Sequence, residues 1–208
     1  MKILVADDHA IFRRGLIALL NDEIQGLDFD EAGNGKELIE MALKNKYGVI
    51  ISDINMPEKT GLDCIKELNN LKITTPILVL SMHSAVEYEL RALRVGAFGY
   101  LNKENTSESI TGAVKKIIGG EKYFSTNALN ISKTSKKIGT QKQLHQKLSD
   151  REFEIFKMMV KGFSGNDICE KLHLKKSTIS TFKKRIFNKM ERFNIPELTK
   201  YALEMGMV

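Results

Sequence analysis

One recurrence constrains this chain more than any other feature. Short apolar runs stop abruptly at polar or charged side chains, and a helix-spaced segment follows each of them. Lys2-Ile3-Leu4-Val5-Ala6 ends at Asp7-Asp8, and Val49-Ile50-Ile51-Ser52 ends at Asp53. Pro76-Ile77-Leu78-Val79-Leu80 ends at Ser81, and Phe98 to Leu101 stops just before Lys103. Between and after them, Ile11–Leu20, Gly35–Asn45, Leu62–Leu71, Val86–Val95 and Ser107–Ile118 carry apolar residues at the three-to-four spacing of a helix face. Strands that are apolar throughout need cover on both faces, and helical crossovers provide it in a parallel sheet. The expected fold of residues 1–122 is therefore α/β: a five-stranded, parallel, doubly wound sheet. Chemistry in such sheets sits beyond the carboxyl ends of the strands. That rule gathers Asp7, Asp8, Asp53, Ser81 and Lys103 at one edge.

The alternation ends after residue 122. Residues 123–145 are rich in Ser, Thr, Lys, Asn and Gln and are expected to form a linker, flexible or partly helical. From 146 to 208 the pattern is helical only. Ser149-Asp150-Arg151-Glu152 has the spacing of a capping box, and that helix is expected to stop at Gly162. Ser164 and Ser177 are expected to cap two more helices, and Pro196 suits the first turn of a fourth, Glu197 to Met205. Two consecutive helices joined by His173-Leu174-Lys175-Lys176 predict a helix-turn-helix.

Charge divides the chain at the same place. Residues 1–125 hold 15 Lys+Arg and 18 Asp+Glu, a net of −3, whereas residues 126–208 hold 17 and 8, a net of +9. A basic second domain predicts a polyanionic partner. No apolar run approaches the 18 or so residues that span a bilayer, and MKILVADDHA is not a signal peptide, since its apolar stretch is short and ends in acids. Cys64 and Cys169 form neither a CxxC pair nor a zinc-like cluster. A cytoplasmic protein that does not bind membranes is expected.

Three carboxylates at one sheet edge repel one another and stay ionised together only beside a cation. Oxygen ligands favour a hard one, most simply Mg²⁺. A hydroxyl and an ammonium facing a metal-bound carboxylate can hold the oxygens of a phosphoryl group, and a carboxylate can be the nucleophile that receives it. Asp53, at the end of the central run, is the expected nucleophile. His9 and His83 are expected to be polar surface residues rather than ligands.

These residues resemble the receiver domain of two-component response regulators. Asp7-Asp8, Asp53 followed by Asn55-Met56-Pro57, Gly61, Ser81 and Gly99-Tyr100-Leu101-Asn102-Lys103 carry the likeness, over about residues 1–122. The resemblance implies that Asp8, Asp53 and the backbone carbonyl of Asn55 bind Mg²⁺, with Asp7 orienting a metal-bound water. It implies that a sensor histidine kinase phosphorylates Asp53 and that Ser81 and Lys103 take the phosphoryl oxygens. Ser81 moving toward the phosphate then lets Tyr100 turn inward. Met82 is larger than the residue many receivers carry there, and His83 lies where phosphate lifetime is often tuned.

In the basic half, Lys175 to Lys189 carries no acid. At about 100° per residue, Ile179, Phe182, Ile186 and Met190 fall on one stripe. Ser180, Thr181, Lys184 and Asn188 fall opposite, with Arg185 beside them and Lys183 in the same basic run. A helix with one apolar side and one short-polar, basic side fits a DNA major groove. Residues 146–205 resemble the LuxR-type helix-turn-helix through Leu148-Ser149-Asp150-Arg151-Glu152, Gly162-Phe163-Ser164, Asp167-Ile168, Leu172, Ser177-Thr178-Ile179, Ile186 and Lys189-Met190. The two resemblances together imply a response regulator of the NarL/FixJ type. That family binds operator DNA, and dimerises through its last helix. Phe182 stands where the family often has His, and Ser180 where a Lys is frequent.

The rival enzyme classes find no support. A haloacid-dehalogenase phosphatase needs DxDxT, and neither Asp7-Asp8-His9 nor Asp53-Ile54-Asn55 supplies it. No GxxxxGK[ST] loop occurs, nor does a hydrolase triad order. The expected protein is not an enzyme but a phosphorylation-dependent DNA-binding transcriptional regulator. Two alternatives remain: a phosphate-independent regulator using its receiver to dimerise, and a regulator whose helical domain binds protein instead of DNA.

Overall fold

The computed structural model describes residues 1–82, 86–137 and 144–207. The chain forms two compact units, Met1–Ile138 and Gly139–Val208.

The first unit is built on five strands: β1 (Lys2–Ala6), β2 (Asp28–Ala32), β3 (Val49–Asp53), β4 (Ile77–Ser81) and β5 (Gly99–Asn102). They pair in parallel in the order β2-β1-β3-β4-β5. The helices between them are α1 (Ala10–Glu23), α2 (Gly35–Lys44), α3 (Gly61–Asn70), α4 (Val86–Val95) and α5 (Ser107–Ile118). Alternation along the strands sends Ile3, Val5, Val49, Ile51, Leu78 and Leu80 to one face, where they pack with Leu16 and Leu20 of α1 and Ile110, Val114 and Ile117 of α5. Their neighbours Leu4, Ile50 and Val79 are equally buried, and α2, α3 and α4 follow one another as a packed row. Sequence order reverses between β1 and β3, so this is the switch point at which such sheets bind ligands. Asp7 follows β1 there and Asp53 ends β3.

β2 is the strand that no apolar run announced. Its sequence is Asp-Phe-Asp-Glu-Ala, and only Ala32 is buried. An edge strand needs one ladder and no two-sided apolar cover, so charge is tolerated along it.

The segment expected to be a flexible or partly helical linker holds both an extended stretch and a helix. Tyr123 bridges to Gly99 in parallel, with its amide donating to Phe98 O and its carbonyl accepting from the Tyr100 amide. The chain thus extends the β5 edge before leaving the sheet. Helix α6 then runs over Thr126–Lys137 in the first unit. Ser125 starts it, accepting from the Ala128 amide at 3.1 Å.

The second unit holds a 3₁₀ turn over Leu144–Lys147, then α7 (Asp150–Val160), α8 (Gly165–Leu172), α9 (Lys176–Met190) and α10 (Ile195–Glu204). The capping box at Ser149 and Glu152 forms as its spacing predicts, and a second joins Ser164 to Asp167. Ser177 is not a cap. Lys175 occupies that position without a side-chain bond, and Ser177 lies within the first turn of α9. α10 starts at Ile195, two residues before the expected Glu197, with Asn194 as its cap and Pro196 in its first turn as expected. Phe153, Phe156, Ile168, Ile179, Ile186, Met190 and Leu198 form the core, each at most 3% exposed. His145 of the 3₁₀ turn is buried beside Tyr201, with Nδ1 2.9 Å from the phenol oxygen.

Candidate phosphorylation site and nucleic-acid interface

The acidic site is assembled by strand ends. Asp7 and Asp53 are 2% and 5% exposed, at the ends of the two neighbouring strands β1 and β3. Lys103, just past β5, reaches across to both: its Nζ lies 2.6 Å from Asp7 Oδ2 and 2.9 Å from Asp53 Oδ2. The lysine side chain is almost fully buried. Its backbone amide donates to the carbonyl of Ser81 at 2.8 Å, which ties the β4 and β5 ends together. Burial pushes the Asp53 carboxyl up to about 6, and Asp7 adds to the rise, while Lys103 and the Ile54 amide oppose it. Burial alone would lower Lys103, but Asp53 and Asp7 outweigh it and hold its ammonium above the usual range.

Oxygen and nitrogen ligand atoms of Asp7, Asp8, His9 and Asp53 lie within 4.8 Å of one another. The group can hold a metal ion. His9 is exposed as expected, yet its Nδ1 lies 2.8 Å from Asp8 Oδ1, so its ring belongs to the cluster. Its adjacency to Asp7-Asp8 was the available signal. Asn55 lies two residues beyond Asp53, half-buried in the loop after β3. Gly61 opens α3 against that loop. A Cβ there would collide with the Asp53 carbonyl oxygen and come 2.8 Å from Ser52 Oγ, so only glycine permits the approach.

Two residues that no motif singled out brace the site. Arg13 donates from Nη1 to the Asp7 carbonyl at 2.5 Å and from Nε to Glu31 at 2.6 Å. Phe12 places its ring 4.6 Å from the Lys103 ammonium.

Ser81 is completely buried at the end of β4. Its hydroxyl shares a hydrogen bond with that of Tyr100, and burial raises the Tyr100 phenol well above its ordinary pKa. Tyr100 therefore already lies inward, 7% exposed, without any movement of Ser81. A buried hydroxyl needs a partner, and here each supplies the other's. Met82, beside it, is exposed. His83 falls outside the described residues.

On α9 the angular expectation separates the faces. Ile179, Ile186 and Met190 are buried, while Ser180, Thr181, Lys184, Arg185 and Asn188 are exposed. Phe182 is half-buried rather than core. Lys183 differs from the other cations: it is half-buried, with Nζ close over Gly165 at the start of α8. The Thr181 hydroxyl donates to the Ser177 carbonyl at 3.0 Å, leaving its lone pairs outward. His173 closes α8 in the left-handed region, at φ 52°, and makes the tight turn between the two helices.

A receiver-like acidic site and a helix-turn-helix on one chain define a class, the response regulators that act on DNA. Comparison with known proteins agrees. Residues 3–115 match the response regulator receiver domain, and residues 146–202 match the luxR family of bacterial regulatory proteins. The oxygen regulatory protein NreC of Staphylococcus haemolyticus is 34% identical over all of this chain and 99% of its own length. YxjL of Bacillus subtilis, an uncharacterised transcriptional regulatory protein, is 30% identical over all of this chain and 97% of its own. Among solved structures, RcsB of Salmonella typhimurium superposes with a TM-score of 0.56 at 26% identity, over 97% of each chain. RcsB of Salmonella enterica serovar Typhimurium, bound to promoter P1flhDC in the presence of phosphomimetic BeF3−, gives 0.58 at 25%, again over 97% of each. This chain belongs to the NarL/FixJ family of two-component response regulators. It is a transcriptional regulator with a DNA-binding helix-turn-helix domain, not an enzyme. No helix among the described residues is long and apolar enough to cross a membrane.

Proposed function

We propose that Asp53 is the phosphoacceptor of this regulator, that a sensor histidine kinase supplies the phosphoryl group, and that its arrival governs binding of α9 to operator DNA. The observation that carries this reading is the pairing of one buried ammonium with two buried carboxylates at the switch point, Lys103 to Asp53 and Asp7. An Asp53 carboxylate oxygen attacks phosphorus. The bond to the donor nitrogen breaks, and its electron pair stays on the departing imidazole. Asp8, Asp53 and the Asn55 carbonyl would hold Mg²⁺, with Asp7 orienting a water on it, and the ion would supply neutralisation of the phosphoryl charge. Lys103 releases the two carboxylates and takes one phosphoryl oxygen, and the Ser81 hydroxyl takes another.

Ser81 then has to divide its hydrogen bonding between the phosphoryl oxygen and Tyr100. This links the chemistry to β5 and α4, the face from which α6 departs. In the second unit, Ser180, Thr181, Lys184, Arg185 and Asn188 meet base edges and phosphates, and Lys183 reaches the backbone from beside α8. The domains are residues 1–122 and 146–208 in this reading. The structure of two RcsB dimers bound to two parallel DNAs supports a homodimer as the form that binds DNA.

The test is uptake of phosphate from acetyl phosphate with Mg²⁺, followed by selection of genomic fragments on the purified protein. Asp53→Asn is expected to take up none, and a defined site is expected to be enriched only with the phosphodonor. Equal enrichment with and without it would favour the phosphate-independent alternative.

A further inference from the structure

Phe12 lies on the first turn of α1, three residues after the acidic cluster ends. Its ring is half-buried against the core shared by α1, α5 and the sheet. The next residue, Arg13, ties that turn to the Asp7 carbonyl and to Glu31. The ring is therefore fixed from both sides, and the Lys103 ammonium stands 4.6 Å from its centroid. The Lys103 side chain is 6% exposed, so its ammonium is largely withdrawn from water. A desolvated cation over an aromatic face is the setting in which such a contact is strongest.

Lys103 now holds Asp7 and Asp53. Both contacts would change as the pocket fills, because the Asp53 oxygen would carry the phosphoryl group and Asp7 would orient a metal-bound water. The contact with Phe12 need not change. We propose that Phe12 is a positioning residue for phosphoryl capture: in the empty pocket Asp7 and Asp53 hold the Lys103 ammonium with or without the ring, and once they release it the ring is what keeps it over the phosphoryl oxygens. The inference rests on the reading of Asp53 as phosphoacceptor. A leucine would fill the space but offers no negative π face.

The experiment uses the full-length protein and beryllium trifluoride as the phosphoryl mimic, titrated by ¹⁹F NMR at saturating Mg²⁺. Mg²⁺ affinity is measured separately by calorimetry. Phe12→Leu is expected to weaken beryllium trifluoride binding about five-fold, the value of a part-buried cation–π contact. Phe12→Tyr is expected to stay within about two-fold of the parent, because it keeps the ring. Mg²⁺ affinity is expected to stay close to the parent's in both, since in the empty pocket Asp7 and Asp53 fix the Lys103 ammonium whether or not the ring is present. If Phe12→Leu fails to fold, Phe12→Met fills the same space without a π face and reads the same quantity. Parent-like binding in the aliphatic variant overturns the inference. So does an equal loss in Phe12→Tyr, which would make packing the cause. No beryllium trifluoride binding by the parent protein would overturn the phosphoacceptor reading itself.

Discussion

The carboxylate of Glu89, on α4, accepts two hydrogen bonds from Ser125: the backbone amide at 2.5 Å and the hydroxyl at 2.8 Å. Ser125 in turn accepts from the Ala128 amide, so one buried glutamate anchors the first turn of α6. Hydrogen bonds to a charged acceptor contribute roughly 1.5–3 kcal/mol, and a lost cap costs about 1 kcal/mol. Ser125→Ala is expected to raise hydrogen exchange at residues 126–129 about five-fold or more while the β-strand amides stay protected. Exchange unchanged at those amides would mean that the Glu89 contact does not hold the helix.

Gly61 makes a second prediction. Its α-carbon faces the Asp53 carbonyl so closely that any Cβ must displace the loop that begins at Asp53. Gly61→Ala is expected to destabilise the first unit by roughly 2–4 kcal/mol, as forced overpacking does. Phosphate uptake is expected to fall with it. A urea midpoint equal to the parent's would show that the loop moves at no cost.

Legibility in the sequence followed burial. β1, β3 and β4 are covered on both faces, so their composition announced them, and the acids at their ends followed from the strand rule. β2 has one neighbour and three acidic side chains, and nothing in its periodicity marks it. Asp7, Asp53 and Lys103 were legible because topology alone converges them. Phe12 and Arg13 were not, since helical spacing shows which residues face a core but not which of them reach past it into a pocket. The Ser177 assignment failed for a related reason. A serine near a helix start is a cap only if its backbone is extended, and here Lys175 takes that conformation. Tyr100 was placed correctly in β5, but its inward position depends on the hydroxyl of Ser81, a tertiary contact with no local signature.

The second unit carries an acid-sensitive pair. Glu152 is 2% exposed. It receives Lys189 Nζ at 2.6 Å and the Ser149 amide at 2.7 Å. Burial would raise its carboxyl, but the Lys189 and Ser149 hydrogen bonds prevail and hold it below the ordinary 4.5. A depressed folded value means that the pair stabilises the fold at neutral pH. Its contribution begins to fade below the unfolded value of 4.5 and is lost as pH falls through the folded one. Glu152→Gln is therefore expected to cost about 1–2 kcal/mol at pH 7. The gap from the parent should close as pH drops below about 4.5. Thermal unfolding of both proteins between pH 7 and 3.5 reads this, and a gap independent of pH would assign the effect to packing.

On α9, Lys184 and Lys183 are one residue apart yet differently placed. Lys184 is exposed on the face with Ser180, Thr181 and Asn188, whereas Lys183 leans over Gly165. A lysine held against a phosphate releases one condensed counterion, so its loss lowers the salt dependence of binding by about one unit of log–log slope. Lys184→Ala is expected to weaken duplex binding about ten-fold at physiological salt and to reduce the slope by about one. Were Lys184 reading a base edge instead, the same variant would relax sequence preference with the slope unchanged. Lys183→Ala is expected to alter the slope less, because its ammonium is already partly withdrawn beside α8. Fluorescence anisotropy on one operator duplex, from low to high salt, separates these outcomes. Parent-like affinity and slope in Lys184→Ala would remove this face of α9 from the DNA interface.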